Sequence, residues 1–131
     1  MSRLFRHFAL IAAMALAVAA PAHAADFLKA MEDVPLPKGM IEQGEPMVFE
    51  SEQGRVVKAS AQGNVGATEI SSFYTASLPA LGWKPVETPN GMTFEREKER
   101  LTISVREPAS ARPVTITFEL VVKLASTRLA E

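Results

Sequence analysis

Three glutamates at alternate positions, Glu95, Glu97 and Glu99, are the first residues in this chain whose type and spacing suggest chemistry. Facing carboxylates can act as acid and base or hold calcium. Here they interleave with Arg96, Lys98 and Arg100, a pattern that suits a solvated, self-neutralising turn. No D-x-D-x-D-G loop accompanies them. Glu50, Glu69 and Glu87 show no spacing of their own that would give a carboxylate-only hydrolase its pair of acids. Arg55, Arg96, Arg100 and Arg106 would form an anion site if strand order brought them to one place. Met31, Met40, Met47 and Met92 offer soft thioethers of the kind copper(I) takes, but irregular spacing favours core filling. Tyr74 and Trp83 are the candidates for a ligand-stacking platform. Their places, in an apolar helix stripe and just after a helix stop, favour packing in the core or at its rim.

Absent residues exclude more than these suggest. The 131 residues contain no cysteine and two histidines, His7 and His23. Both histidines fall in a segment with the anatomy of a secretory leader. Arg3 and Arg6 form its basic start, Phe8 to Ala20 is uncharged, and Pro21-Ala22-His23-Ala24 places small residues where a signal peptidase needs them. The apolar run is shorter than the ~20 residues that span a bilayer. Cleavage is expected after Ala24, giving a periplasmic chain. Without a following cysteine, lipoprotein attachment is excluded. Residues 25–131 then have neither His nor Cys, which removes Ser-His-Asp and Cys-His catalysis, thiol chemistry and His- or Cys-built metal sites. No cofactor is implied. The leader takes two of the 14 basic residues, leaving 12 against 15 acidic ones. A weakly acidic chain argues against nucleic acid or anionic lipid as its main partner. Beyond the leader, no membrane-inserting segment is expected.

These residues need elements to hold them. Residues 25–31 are compatible with a helical turn or two, with Phe27, Leu28 and Met31 on its apolar side. Residues 33–47 contain Pro35, Pro37, Gly39, Gly44 and Pro46 and are expected to be extended and polyproline-like, without regular structure, within a Pro/Gly-rich arm over 25–46. The folded domain is expected over 47–124, with a frayed tail at 125–131. Its first hairpin would be 47–51 and 55–61, joined at Glu52-Gln53-Gly54. From Ala67 to Leu81 the period changes to that of a helix, and Ile70, Phe73, Tyr74, Ser77, Leu78 and Leu81 fall on one face. Pro79 should tighten the last turn, and Gly82 is placed to end it. Further strands are expected at 83–87 and 92–96, separated by Pro89-Asn90-Gly91. After a turn at 97–99, Leu101, Ile103 and Val105, then Val114, Ile116, Phe118, Leu120 and Val122, alternate with polar residues. One apolar helix face and one apolar sheet face must cover each other. The expected fold is a two-layer α+β domain with one helix on about five antiparallel strands, in ββαβββ-like order.

The run Phe73-Tyr74-Thr75-Ala76-Ser77-Leu78-Pro79-Ala80-Leu81-Gly82-Trp83 resembles an FYxxxLPxLGW signature of a family of small secreted proteobacterial proteins. Asp33–Met40 and Phe49-Glu50-Ser51 are similar to that family as well. The resemblance spans roughly residues 26–122 and brings no activity or catalytic residues with it. Physically, Phe73, Leu78 and Leu81 would dock the helix, Gly82 turn the chain and Trp83 close the end of the core. A looser, fold-level likeness is to helix-on-sheet domains of outer-membrane assembly lipoproteins. The function expected is a non-enzymatic periplasmic binding or accessory module that meets an envelope protein through the Pro-rich arm or a free strand edge. Alternatives are a small-ligand carrier with a pocket between helix and sheet, and, last, a carboxylate-only hydrolase.

Overall fold

Residues 26–89, 91–109 and 113–124 are described by a computed structural model of the chain. The leader and its cleavage site, Asn90 of the expected turn, and the tail 125–131 lie outside the described residues. In chain order the elements are β1 (Phe27–Leu28), β2 (Met31–Pro35), β3 (Met40–Ser51), β4 (Gly54–Gly63), α1 (Ala67–Ala80), β5 (Lys84–Val86), β6 (Met92–Arg96), β7 (Glu99–Arg106) and β8 (Val114–Lys123).

The alternation in the C-terminal half does what its period requires. Leu101, Ile103, Ile116, Phe118 and Leu120 are buried, and Ser104, Arg106 and Thr117 between them are exposed. Strands β5 to β8 form a meander, and β4 joins it against β8, giving one six-stranded antiparallel sheet in the order β3-β4-β8-β7-β6-β5. The α+β class holds. The expected five strands become six, with a separate two-stranded β1–β2 sheet besides. The hairpin turn before β7 is Glu97-Lys98, with Glu99 already paired to Arg96.

Helix α1 lies on the inner face of the sheet, where Tyr74 meets Phe118 edge-on at 5.9 Å and Phe73 at 5.0 Å. Ile70, Tyr74 and Leu78 are its buried positions. The helix ends in a Schellman motif: Trp83 N–H bonds the Leu78 carbonyl, Gly82 N–H bonds the Pro79 carbonyl, and Gly82 has φ 90°. Leu81 does not dock. It is the C-cap residue, with φ −98° and ψ 10°, so the helical stripe ends before it and it stays 40% exposed.

The N-terminal segment departs most from expectation. Residues 27–35 are two strands, not a helical turn, and 40–51 is one long strand, not the end of an arm. Leu28, Met31, Val34, Leu36 and Met40 enter the main core. The prolines and glycines that suggested an arm instead occupy ends and turns. Pro35 closes β2. Pro37 to Met40 is a turn closed by Met40 N–H on the Pro37 carbonyl, with Gly39 third at φ 93°. Gly44 (φ 67°) and Pro46 lie where the β3–β4 register shifts, on an edge strand where a missing N–H is tolerated. No helix among the described residues is long and apolar enough to cross a membrane.

Candidate functional site

Arg55, Val122, Glu99 and Arg96 are direct cross-strand partners along β4, β8, β7 and β6. They form one row on the inner face. Arg55 and Arg96 therefore share a face, but three strand spacings, about 14 Å, separate them, with Glu99 between. Arg106 stands opposite Thr115 at the far end of the sheet, on the outer face with Arg100. The four arginines do not converge. Glu95 accepts from Arg100 Nε at 2.9 Å, Glu99 accepts from Arg96, and Glu97 is exposed at the turn with φ 53°. Glu50, Glu69 and Glu87 lie on β3, α1 and the stretch after β5. Met31 and Met40 are in the core and Met92 packs against it, while Met47 is exposed on the outer face. Among the described residues, no group of three or more His, Cys, Asp or Glu side chains is placed to hold a metal ion.

Tyr74 is fully buried, and its hydroxyl meets no hydrogen-bond partner among the described residues. Burial pushes the phenol well above its ordinary range. Trp83 is 2% exposed and lies beneath Arg96, so it presents no open stacking face. Arg96 also donates to Asp33 Oδ2 at 2.9 Å, the Leu81 carbonyl at 3.2 Å and Glu99 Oε1 at 3.3 Å. Burial opposes its charge, but hydrogen bonding to Asp33 and the charge of Glu99 outweigh burial and raise its pKa above the usual value. This cluster ties β2, the helix end and the β6–β7 hairpin together. Beside it, a groove of about 500 Å³ runs between the N-terminal hairpin and the sheet, rimmed by Lys29, Glu32, Asp33, Arg55 and Glu99.

The surface that stands out is β3. It pairs with β4 on one side, and among the described residues no strand pairs with its other side. A free edge presents backbone donors and acceptors to any extended chain. The bulge at Gly44–Pro46 divides that edge into residues 40–43 and 47–51. In the second part, Met47 (53%), Val48 and Phe49 (56%) are all exposed, although Val57, opposite Val48, is completely buried. Beta-strand alternation sends Val48 to the inner face and Met47 and Phe49 to the outer one. Both faces of this lip are therefore open. On the outer face Phe49, Val56 and Val121 stand side by side on β3, β4 and β8. A groove of about 620 Å³ begins there and runs to Leu124.

Four glutamates, Glu42, Glu45, Glu50 and Glu52, follow β3 and its turn, and residues 40–54 contain no Lys or Arg. Sequence reasoning named a free edge only in general terms. The specific signal was the unbroken Met47-Val48-Phe49 run, which neither alternates nor sits in a buried strand. No protein-family model, curated protein or solved structure matches the chain.

Proposed function

We propose that this chain is a non-enzymatic binding module of the periplasm, which takes up a partner protein by strand addition along β3. The observation that carries the reading is a strand edge with three consecutive large apolar side chains in water on both of its faces. Such an edge is a template for main-chain pairing, and side chains at alternate positions add selectivity. Export rests on the leader anatomy of residues 1–24, and the family on the likeness of residues 73–83 to its signature.

The test is site-specific photocrosslinking with the full chain in its native cells, using benzoylphenylalanine at position 47, 49 or 104. Ser104 is the control because it is exposed on the same sheet face, three strands away from β3. Support is the same adduct from 47 and 49, none from 104, and loss of the position-47 adduct in Phe49→Ser. Equal adducts from 49 and 104, or none from 47 and 49, overturn the reading.

A further inference from the structure

We propose that the segment added to β3 is basic: an extended stretch of another protein in which Lys or Arg alternates with apolar residues. This rests on the strand-addition reading and names the chemistry of its partner.

The charge along the edge is one-sided. Glu42, Glu45, Glu50 and Glu52 flank or belong to β3, with no basic residue between Lys38 and Arg55. The nearest cations on β4 are already engaged. Arg55 Nε lies 3.7 Å from Glu50, and Lys58 Nζ lies 3.2 Å from Glu119. Among the described residues Glu45 and Glu52 make no ion pair. An acidic seam steers and orients a basic segment.

The pattern of faces fixes the alternation. Phe49 continues the apolar row of Val56 and Val121 on the outer face, and Met47, opposite Lys58, is exposed on that same face, so the added strand needs apolar residues there. Glu50, which stays 73% exposed beside Arg55, projects from the other face, where the added strand's intervening residues also point. Lys or Arg at those positions meets it. A second copy of this chain satisfies the first demand but not the second. Antiparallel pairing of two β3 edges about Phe49 lines up eight glutamates along one seam, and β3 itself brings no cation to it.

The test uses the full chain and capped, dye-labelled peptides of about nine residues, long enough for one strand. One alternates Val with Lys, one alternates Val with Glu, and one is the Val-Lys peptide N-methylated at alternate residues. Anisotropy should give the Val-Lys peptide a Kd about tenfold below that of the Val-Glu peptide at low salt, a gap that narrows as salt rises. Glu45→Gln/Glu50→Gln/Glu52→Gln should close most of the gap, and N-methylation should abolish binding. Equal Kd values for the Lys and Glu peptides overturn the proposal. So does binding that survives N-methylation, which would be charge attraction without strand pairing. Self-association in sedimentation that Phe49→Lys abolishes assigns the edge to a second copy and also overturns it. If crosslinks form from 47 and 49 but no Val-Lys peptide binds, the basic chemistry falls and strand addition stands. If both fail, both fall.

Discussion

The Arg96 guanidinium sits over the Trp83 ring, its central carbon 4.4 Å from the ring centroid. The same group holds Asp33 of β2, the Leu81 carbonyl at the helix end and Glu99 of β7. A planar fork can serve several acceptors and a ring face at once, which a lysine ammonium cannot. Arg96→Lys should therefore cost about 1–2 kcal/mol in denaturant unfolding. Asp33→Asn should cost less than about 0.5 kcal/mol, because that carboxylate is exposed. Trp83 is the only tryptophan, so its emission reports both unfolding and the local change. A red-shifted native spectrum is expected in Arg96→Lys and not in Asp33→Asn.

Tyr74 gives the fold an alkaline limit. Its phenol is buried against Phe73 and Phe118, and burial raises its pKa above the ordinary 10.0. The folded state thus keeps a proton that the unfolded state releases. The associated stability is fully present below pH 10, the ordinary value, and is lost progressively as pH rises above it. Tyr74 is the only tyrosine, so absorbance at 295 nm follows it alone. Tyrosinate should appear together with loss of the far-ultraviolet circular dichroism signal. Ionisation with an ordinary midpoint in an intact fold would show that the phenol reaches water.

Gly63 measures how firmly the N-terminal segment is built in. A Cβ added there would clash with the Gly39 carbonyl oxygen and lie 2.7 Å from Met40 Sδ. Gly63→Ala should destabilise by about 1–3 kcal/mol, the usual cost of overpacking. Were residues 25–46 a detached arm, the same substitution would be neutral or mildly stabilising, because alanine loses less backbone entropy than glycine. The sign of the change in thermal unfolding separates the two.

The difference between the readable and unreadable parts of this fold is physical. Strands β7 and β8 each have one buried and one wet face, so polarity alternates and the period shows directly. The stripe of α1 shows for the same reason. In residues 33–47, prolines and glycines carry the pattern of breakers, although they sit at a strand end, in a turn and in an edge bulge, where their constraints cost little. Whether Arg55 shares a row with Arg96 depends on β4 pairing with β8 across the helix, and no local pattern encodes that. Tyr74, in the helix stripe, and Trp83, just after the helix stop, are buried, as those places imply for large aromatic residues. The lip at Met47–Phe49 is not legible in the sequence, because an apolar run reads as burial until its neighbours are known.

Met47 and Phe49 separate a docking surface from a core. Both point away from the layer that contains Tyr74 and Phe118, and both remain more than half exposed. Replacing both with threonine keeps strand propensity while removing apolar surface that the folded chain leaves in water. The double variant should unfold within about 0.5 kcal/mol of the parent, as surface changes usually do. It should also lose the binding of the Val-Lys peptide. A loss of more than about 2 kcal/mol would place these residues in the cost range of buried large-to-small substitutions. The row Phe49-Val56-Val121 would then be part of the protein's own packing, and strand addition at β3 would lose its basis. Stability retained together with binding lost means that these side chains serve an interface formed only when β3 gains a neighbour.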